Sequence, residues 1–373
     1  MEFIDLKQQY NRYKDEIDLR IKNVLDKGHY IMGEEVFELE KELAAYTGSK
    51  HAIAVSSGTC SLFIALLALD VQPDDEIITV PFTWIASSEV ISLTHARPVF
   101  VDIEPDYYNI NVSLIEKAIT KKTKGILAVN LFGQMADYEA LNDLAKKHNL
   151  FVIEDAAQSF GSTQNGIHSC KKTLVGSTSF FPAKPLGCYG DGGALFTDDD
   201  KLASKCRAIR THGGEMRHHH PYLGLNGRLD TLQAAILLAK LPHFNQEIEA
   251  RQKHAEYYNE LLNGIVETPE VMDSNTHVYA QYTIRVEERE LLINALKKEG
   301  IPSAVYYPKC LHEQPVFEHL GYKLGDFPEA EKASKQVLSL PMHPWLKKEE
   351  QELIAEIIKT HASHYPIEAL QCC

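Results

Sequence analysis

The sequence predicts an α/β protein, with a large domain on a mostly parallel sheet (residues 1–245) and a smaller C-terminal α+β domain (246–373). Three observations predict it. From residue 97 to 154, short apolar runs alternate with amphipathic stretches, the pattern of parallel strands connected by helices. Pro242 interrupts that pattern, and a long charged stretch leads into a second composition in which strands and helices mix. With 373 residues and 44% apolar side chains, the chain is long enough to bury two cores of ordinary size.

Taken in order, Tyr13 to Lys27 and Glu34 to Thr47 carry apolar residues three and four apart among charges and read as helices, with Gly28 and Gly33 between them. Ala52-Ile-Ala-Val55 is a short strand. Ser56-Ser-Gly-Thr-Cys60 then turns into the apolar run Ser61 to Leu69, and such a turn is either an ordinary helix cap or an anion site, because first-turn amides lack intrahelical partners. Asp75 to Val80 is another strand. It ends at Pro81-Phe-Thr-Trp84, where Trp84 either packs in the core or stacks on a planar ring. Strand Pro98–Val101, helix Val112–Ile119, strand Gly125–Val129, helix Tyr138–Lys147 and strand Leu150–Glu154 follow.

Ligands of such sheets gather at the carboxyl ends of the strands. Asp155 stands there, and strand alternation puts Glu154 on the opposite face. Asp155 either caps the next helix or serves a ligand.

The segment Gly176 to Phe196 holds the strongest chemical signal. Lys184 lies between Pro182 and Pro185, which remove backbone donors and keep it out of a regular helix or central strand. Gly187, Gly190, Gly192 and Gly193 then turn the chain sharply before the strand Ala194-Leu-Phe196. A partly desolvated lysine can form a Schiff base with an aldehyde and later act as a base.

Beyond it, a helix runs from about Asp199 to Arg210, and Thr211 to His220 holds four imidazoles on a loop. Adjacent loop histidines lack the facial geometry and carboxylate support of most metal centres, so no metal is expected and a loop touching substrate or a partner subunit is preferred. Asp230 is a candidate cap for the helix Thr231–Lys240. The second domain reads as helix Glu247–Leu262, strand Tyr279–Val286, helix Glu290–Glu299, strand Ser303–Tyr307 and helix Lys348–Lys359.

The net charge of −14 argues against a nucleic-acid partner, which needs a basic face. Neither a bilayer-spanning apolar run nor a signal peptide is read in the chain, which points to the cytoplasm. Seven cysteines without regular spacing fit reduced thiols, and Cys372-Cys373 is not preceded by the polybasic stretch of a prenylation signal.

Ser-Phe-Phe-Pro-x-Lys-x-Leu-Gly with Gly-Asp-Gly-Gly, together with Ser-Gly-Thr, Glu-Asp-Ala-Ala-Gln-Ser and Asn-x-Arg-Leu-Asp in that chain order of segments, resembles the DegT/DnrJ/EryC1/StrS family of sugar-nucleotide aminotransferases. The resemblance runs from Phe3 to about Leu346. It implies a fold type I enzyme dependent on pyridoxal 5'-phosphate (PLP), working as a homodimer with shared sites. Lys184 is implied as the cofactor lysine and catalytic base, and Asp155 as the partner of the ring nitrogen. By the same resemblance Gln158 meets the ring hydroxyl, Gly58, Thr59 and Ser179 hold the phosphate, and Trp84 stacks on the ring. Asn226 is implied to reach the neighbouring subunit's phosphate site, and Arg228 its substrate. Tyr306 and Tyr307 are expected near the sugar, with Tyr306 departing from the family's usual His-Tyr-Pro.

Within the family, the match is nearest the group acting on UDP-2-acetamido-2-deoxy-3-oxo-glucuronate, with L-glutamate as amino donor and bacterial surface polysaccharide as destination. Arg228 is then expected to recognise the uronate carboxylate. Two alternatives stand beside this: a 3- or 4-aminotransferase of a dTDP- or UDP-linked keto-6-deoxyhexose, and a PLP-binding regulatory protein without turnover.

Overall fold

The structure is a computed structural model that describes residues 1–361; Cys372-Cys373 lies outside the described residues. The chain opens with α1 (Leu6–Lys27) and α2 (Glu34–Thr47). The first helix starts before the expected Tyr13, because the Asp5 carboxylate accepts the Gln8 N–H at 2.8 Å and caps it. Its opening turns, Lys-Gln-Gln, are polar and carry no apolar period to read. Gly28 ends α1 at φ 69°, in the left-handed region that favours glycine.

The large unit continues with β1 (His51–Val55), α3 (Gly58–Ala68), β2 (Glu76–Thr79), α4 (Ala86–Leu93), β3 (Arg97–Phe100), α5 (Val112–Ala118), β4 (Thr123–Val129), α6 (Tyr138–His148) and β5 (Phe151–Asp155). A short hairpin follows, β6 (Thr163–Gln164) with β7 (Ile167–His168), then β8 (Val175–Ser179), β9 (Gly193–Thr197), α7 (Asp200–Arg210) and α8 (Thr231–Lys240). Seven strands form one sheet in the order β1-β9-β8-β5-β4-β2-β3. β9 is antiparallel to both neighbours, and the remaining pairs are parallel. The carboxyl ends of β1, β2, β4, β5 and β8 therefore share one edge of the sheet.

Strand alternation divides the core. Ile53 and Val55 pack on one face with Leu62, Ile64, Ile78 and Leu127, while Ala52 and Ala54 pack on the other with Phe160, Phe196 and Leu237. A separate cluster fills the C-terminal unit, made of α9 (Phe244–Leu262), β10 (Tyr282–Arg285), α10 (Arg289–Lys298), α11 (Pro328–Gln336), β11 (Val337–Leu340) and α12 (Lys348–His361). There Tyr258, Tyr282, Leu296, Leu338, Ile354 and Ile358 meet. Phe317, Phe327, Ala330 and Val337 instead pack into the core of the large sheet. Asp102, just past β3, fixes this crossing: its carboxylate accepts the N–H groups of Glu329 and Ala330 at 3.0 and 2.9 Å, placing negative charge at the start of α11.

Two expectations are corrected. Ser303–Tyr307 is not a strand; Ala304 alone bridges Ser339, and β10 pairs with β11 instead. Pro302 and Pro308, which flank that segment, cannot donate to a ladder. Asp230 makes no side-chain cap. Thr231 N–H donates to the Tyr30 carbonyl at 3.0 Å, so the connection between α1 and α2 satisfies the start of α8.

Candidate active site

Along the carboxyl edge of the sheet lies a cavity of about 580 Å³. Much of its wall comes from segments leaving β1, β2, β5 and β8, and the rest from Ile4 and from C-terminal residues such as Gln281, Tyr306 and Tyr307. After β1, the hydroxyl of Ser57 accepts the Cys60 N–H at 3.0 Å and caps α3, and Ser57, Gly58 and Thr59 at this helix start line the cavity. Gly58 is required there, because a Cβ at this position would stand 2.7 Å from the Ser179 Cβ. Thr59 follows on the same turn. After β2 comes Trp84, 58% exposed, its ring 6.1 Å from that of Tyr307.

Asp155 ends β5 and is buried. Its Oδ1 accepts the Ala157 N–H at 3.1 Å, and its Oδ2 accepts the Ser87 hydroxyl at 2.9 Å. Burial pushes its carboxyl above the ordinary range, opposed by those two bonds and by the charge of Lys184. Glu154 points the other way, as alternation requires, and accepts from Asn130 Nδ2 at 2.8 Å and Cys170 N–H at 2.9 Å. Desolvation lifts it to about 8.

Gln158 is oriented by its surroundings. Its Oε1 accepts the Phe132 N–H at 2.9 Å, which turns Nε2 toward the Tyr307 hydroxyl at 3.2 Å. Ser179 closes β8, and its Oγ accepts the Phe181 N–H at 3.2 Å, shaping the entry to the loop. In that loop Lys184 N–H donates to the Phe181 carbonyl at 2.8 Å and Cys188 N–H to the Phe180 carbonyl at 2.8 Å. The Lys184 amine is pulled below its ordinary range by burial, with Asp155 opposing. Lys240, at the end of α8, donates to the Gly187 carbonyl and ties the loop to the helix beneath.

Nine of the residues expected at a site line this one cavity: Gly58, Thr59, Trp84, Asp155, Gln158, Ser179, Lys184, Tyr306 and Tyr307. Asn226 and Arg228 do not line it. Asn226 is exposed and bridges Thr211, while Arg228 bridges Val55 and its Nε is buried without a partner among the described residues. Arg228 forms no ion pair with Asp230. The histidine loop makes a local turn in which His220 Nδ1 lies 2.9 Å from the His212 carbonyl, and among the described residues no group of three His, Cys, Asp or Glu side chains is placed to hold a metal.

Sequence reasoning missed Ser87, Asp191, Gln281 and Ile4 on the cavity wall. Ser87 lies in the first turn of α4, and no local pattern ties it to Asp155, 68 residues later. Gln281 and Ile4 are brought in by tertiary packing alone.

The cavity fits a pyridoxal phosphate. It offers an amine for the aldehyde, a buried carboxylate for the ring nitrogen, and a tight serine-glycine-threonine turn at a helix start for the phosphate.

Comparison with known proteins agrees. The sequence profile of the DegT/DnrJ/EryC1/StrS aminotransferase family matches residues 11–359. A UDP-2-acetamido-2-deoxy-3-oxo-D-glucuronate aminotransferase of Pseudomonas aeruginosa is 51% identical over 93% of this chain and 96% of its own. A pleiotropic regulatory protein of Geobacillus stearothermophilus is 47% identical over 97% of this chain and 98% of its own. Among solved structures, S. venezuelae DesV in complex with a ketimine intermediate superposes with a TM-score of 0.95 at 36% identity, covering 98% of this chain and 99% of that one. NtdA of Bacillus subtilis, solved with bound cofactor PMP, gives 0.90 at 31% identity over 97% of this chain and 85% of its own.

Proposed function

The chain belongs to the DegT/DnrJ/EryC1/StrS aminotransferase family and is a PLP-dependent aminotransferase; from that premise we propose that it moves the amino group of L-glutamate onto C3 of UDP-2-acetamido-2-deoxy-3-oxo-D-glucuronate. The observation that carries the reading is the meeting of Lys184 and Asp155 in one cavity at the carboxyl edge of the sheet. The name of the Pseudomonas aeruginosa relative supports the choice of sugar.

When bound, the cofactor supplies an aldehyde for the amine and an electron sink for the carbon that loses its proton. The chain's own groups do the rest. Lys184, with its amine weakened as a proton holder by burial, takes a proton at Nζ and returns it to the neighbouring carbon position. Asp155 holds a proton on the ring nitrogen through its fixed carboxylate. Gln158 presents Nε2 to the ring hydroxyl. The Gly58-Thr59 turn and Ser179 hold the phosphate, Trp84 covers the ring, and Tyr306 and Tyr307 face the sugar side.

In this reading Asn226 and Arg228 complete the site of a second copy in a homodimer. Both lie outside their own cavity, on a segment that also exposes Leu223 (91%) and Met216 (69%). Arg228 then offers its two-pronged donor to the uronate carboxylate. We place the reaction in the cytoplasm, supported by the free, buried thiols of Cys60, Cys170, Cys188, Cys206 and Cys310. Its product would serve lipopolysaccharide and O-antigen synthesis.

The likeness to a regulatory protein favours one second reading, a PLP binder without turnover. Glutamate added to the purified, PLP-loaded protein separates the two: bleaching of the cofactor's visible absorbance is expected, and its persistence would support the regulatory reading. Incubation with glutamate and a panel of keto-sugar nucleotides, with the amino sugar identified by mass and NMR, tests the substrate. Turnover confined to a dTDP- or UDP-linked keto-6-deoxyhexose would replace the uronate.

A further inference from the structure

Ser87, in the first turn of α4, has no chemical neighbour in sequence, yet the helix delivers its hydroxyl to the one carboxylate on which the ring nitrogen depends. Ser87 is 1% exposed and Asp155 6%, and Oγ stands 2.9 Å from Oδ2. The other carboxylate oxygen is taken by the Ala157 N–H at 3.1 Å. A carboxylate held by one donor can swing about its Cβ bond; held by one on each oxygen, its plane is fixed. A donor to a buried carboxylate also favours the ionised form, which is the form able to accept the ring N–H.

We infer that Ser87 is a positioning residue for the cofactor reaction: through its hydrogen bond it orients Asp155 and keeps it anionic toward the pyridine nitrogen. The inference rests on the reading of Asp155 given above. Ser87 itself touches Asp155 and acts through it.

Other charged and titratable groups around Asp155 come from every neighbouring element: Lys184 from the loop after β8, Tyr307 from the C-terminal segment, Glu154 from β5 itself, Tyr138 from α6 and Cys170 ahead of β8. None of them is altered by changing Ser87, so a difference between variants reports the lost hydroxyl.

The test is titration of PLP into the apoprotein of wild type, Ser87→Ala and Ser87→Thr, followed by fluorescence and visible absorbance. Losing a hydrogen bond to a charged group is expected to weaken PLP binding roughly ten- to hundredfold in Ser87→Ala, with Ser87→Thr within about threefold of wild type. The deficit of Ser87→Ala should be larger at about pH 6 than at about pH 8.5, because its Asp155 keeps a proton to higher pH. A purely structural role would lower the melting temperature of the apoprotein without this pH dependence, and that result overturns the inference. So does a Ser87→Ala protein that binds PLP as wild type does, or a Ser87→Thr protein as weak as Ser87→Ala. Should Ser87→Ala not fold, Ser87→Cys, similar in size and a weaker donor, carries the same comparison. A wild type that takes up no PLP would overturn the reading of the whole site, whereas a binding wild type with an unaffected variant removes Ser87 alone.

Discussion

Gln158 and Tyr307, 149 residues apart, meet across the cavity with Nε2 donating to the tyrosine oxygen at 3.2 Å. This bond joins the sheet edge to the segment that descends from the C-terminal unit. Removing only the hydroxyl, by Tyr307→Phe, keeps the ring against Phe82 and Trp84. A neutral bond is worth about 1 kcal/mol, so kcat/KM for the sugar is expected to fall roughly two- to tenfold, as read by steady-state kinetics.

Lys184→Ala removes the amine that the proposed proton transfer uses, as well as the covalent attachment point. Transamination should fall by at least about a thousandfold, within the range associated with general acid–base groups. Single-turnover measurement with glutamate checks this, and melting of the variant should stay near wild type because, although the amine is buried, it lines an open cavity and the side chain as a whole is only partly covered.

Gly58→Ala is a steric test. The new Cβ would lie 2.7 Å from Ser179 Cβ, with the Ser179 Cα at 3.3 Å, so either the turn or β8 must shift. A displaced phosphate cradle should lower PLP affinity by about tenfold or more, measured by equilibrium titration of the apoprotein. Wild-type affinity in this variant would remove the turn from the phosphate site.

Glu154 gives a pH signature of stability. Burial lifts its carboxyl from 4.5 to about 8, so between those values the folded chain binds the proton more than the unfolded chain does. Stability contributed by this group therefore falls as pH rises through that window. Glu154→Gln, which cannot ionise, should flatten that decline. Denaturant midpoints at several pH values measure it, and an unchanged pH slope would count against the shift.

Much of the fold was legible because its signals are local. The alternation from residue 97 to 154 and the proline-bounded Lys184 appear in sequence order, and Glu154 and Asp155 do take opposite faces as strand periodicity requires. What escaped depends on contacts distant in sequence. α11 is short and charged, with its start satisfied by Asp102, more than two hundred residues earlier. β11 is recognisable only once β10 lies beside it. At the cavity, Lys184 and Asp155 were marked by neighbours that limit the backbone or end a strand, whereas Gln281 and Ile4 carry no such local mark and belong to the site only by where they are folded to.

The reversed direction of β9 has a mechanical consequence. Because β8 and β9 are hydrogen-bonded partners with Ser179 opposite Gly193, the thirteen positions between them, 180 to 192, form a closed ear whose two roots are stapled side by side. The roots of such an ear cannot part without breaking the β8–β9 ladder inside the sheet. Lys184 therefore springs from a loop whose base is set by the sheet, and the direction in which its stem leaves that base is fixed by the β8–β9 pairing.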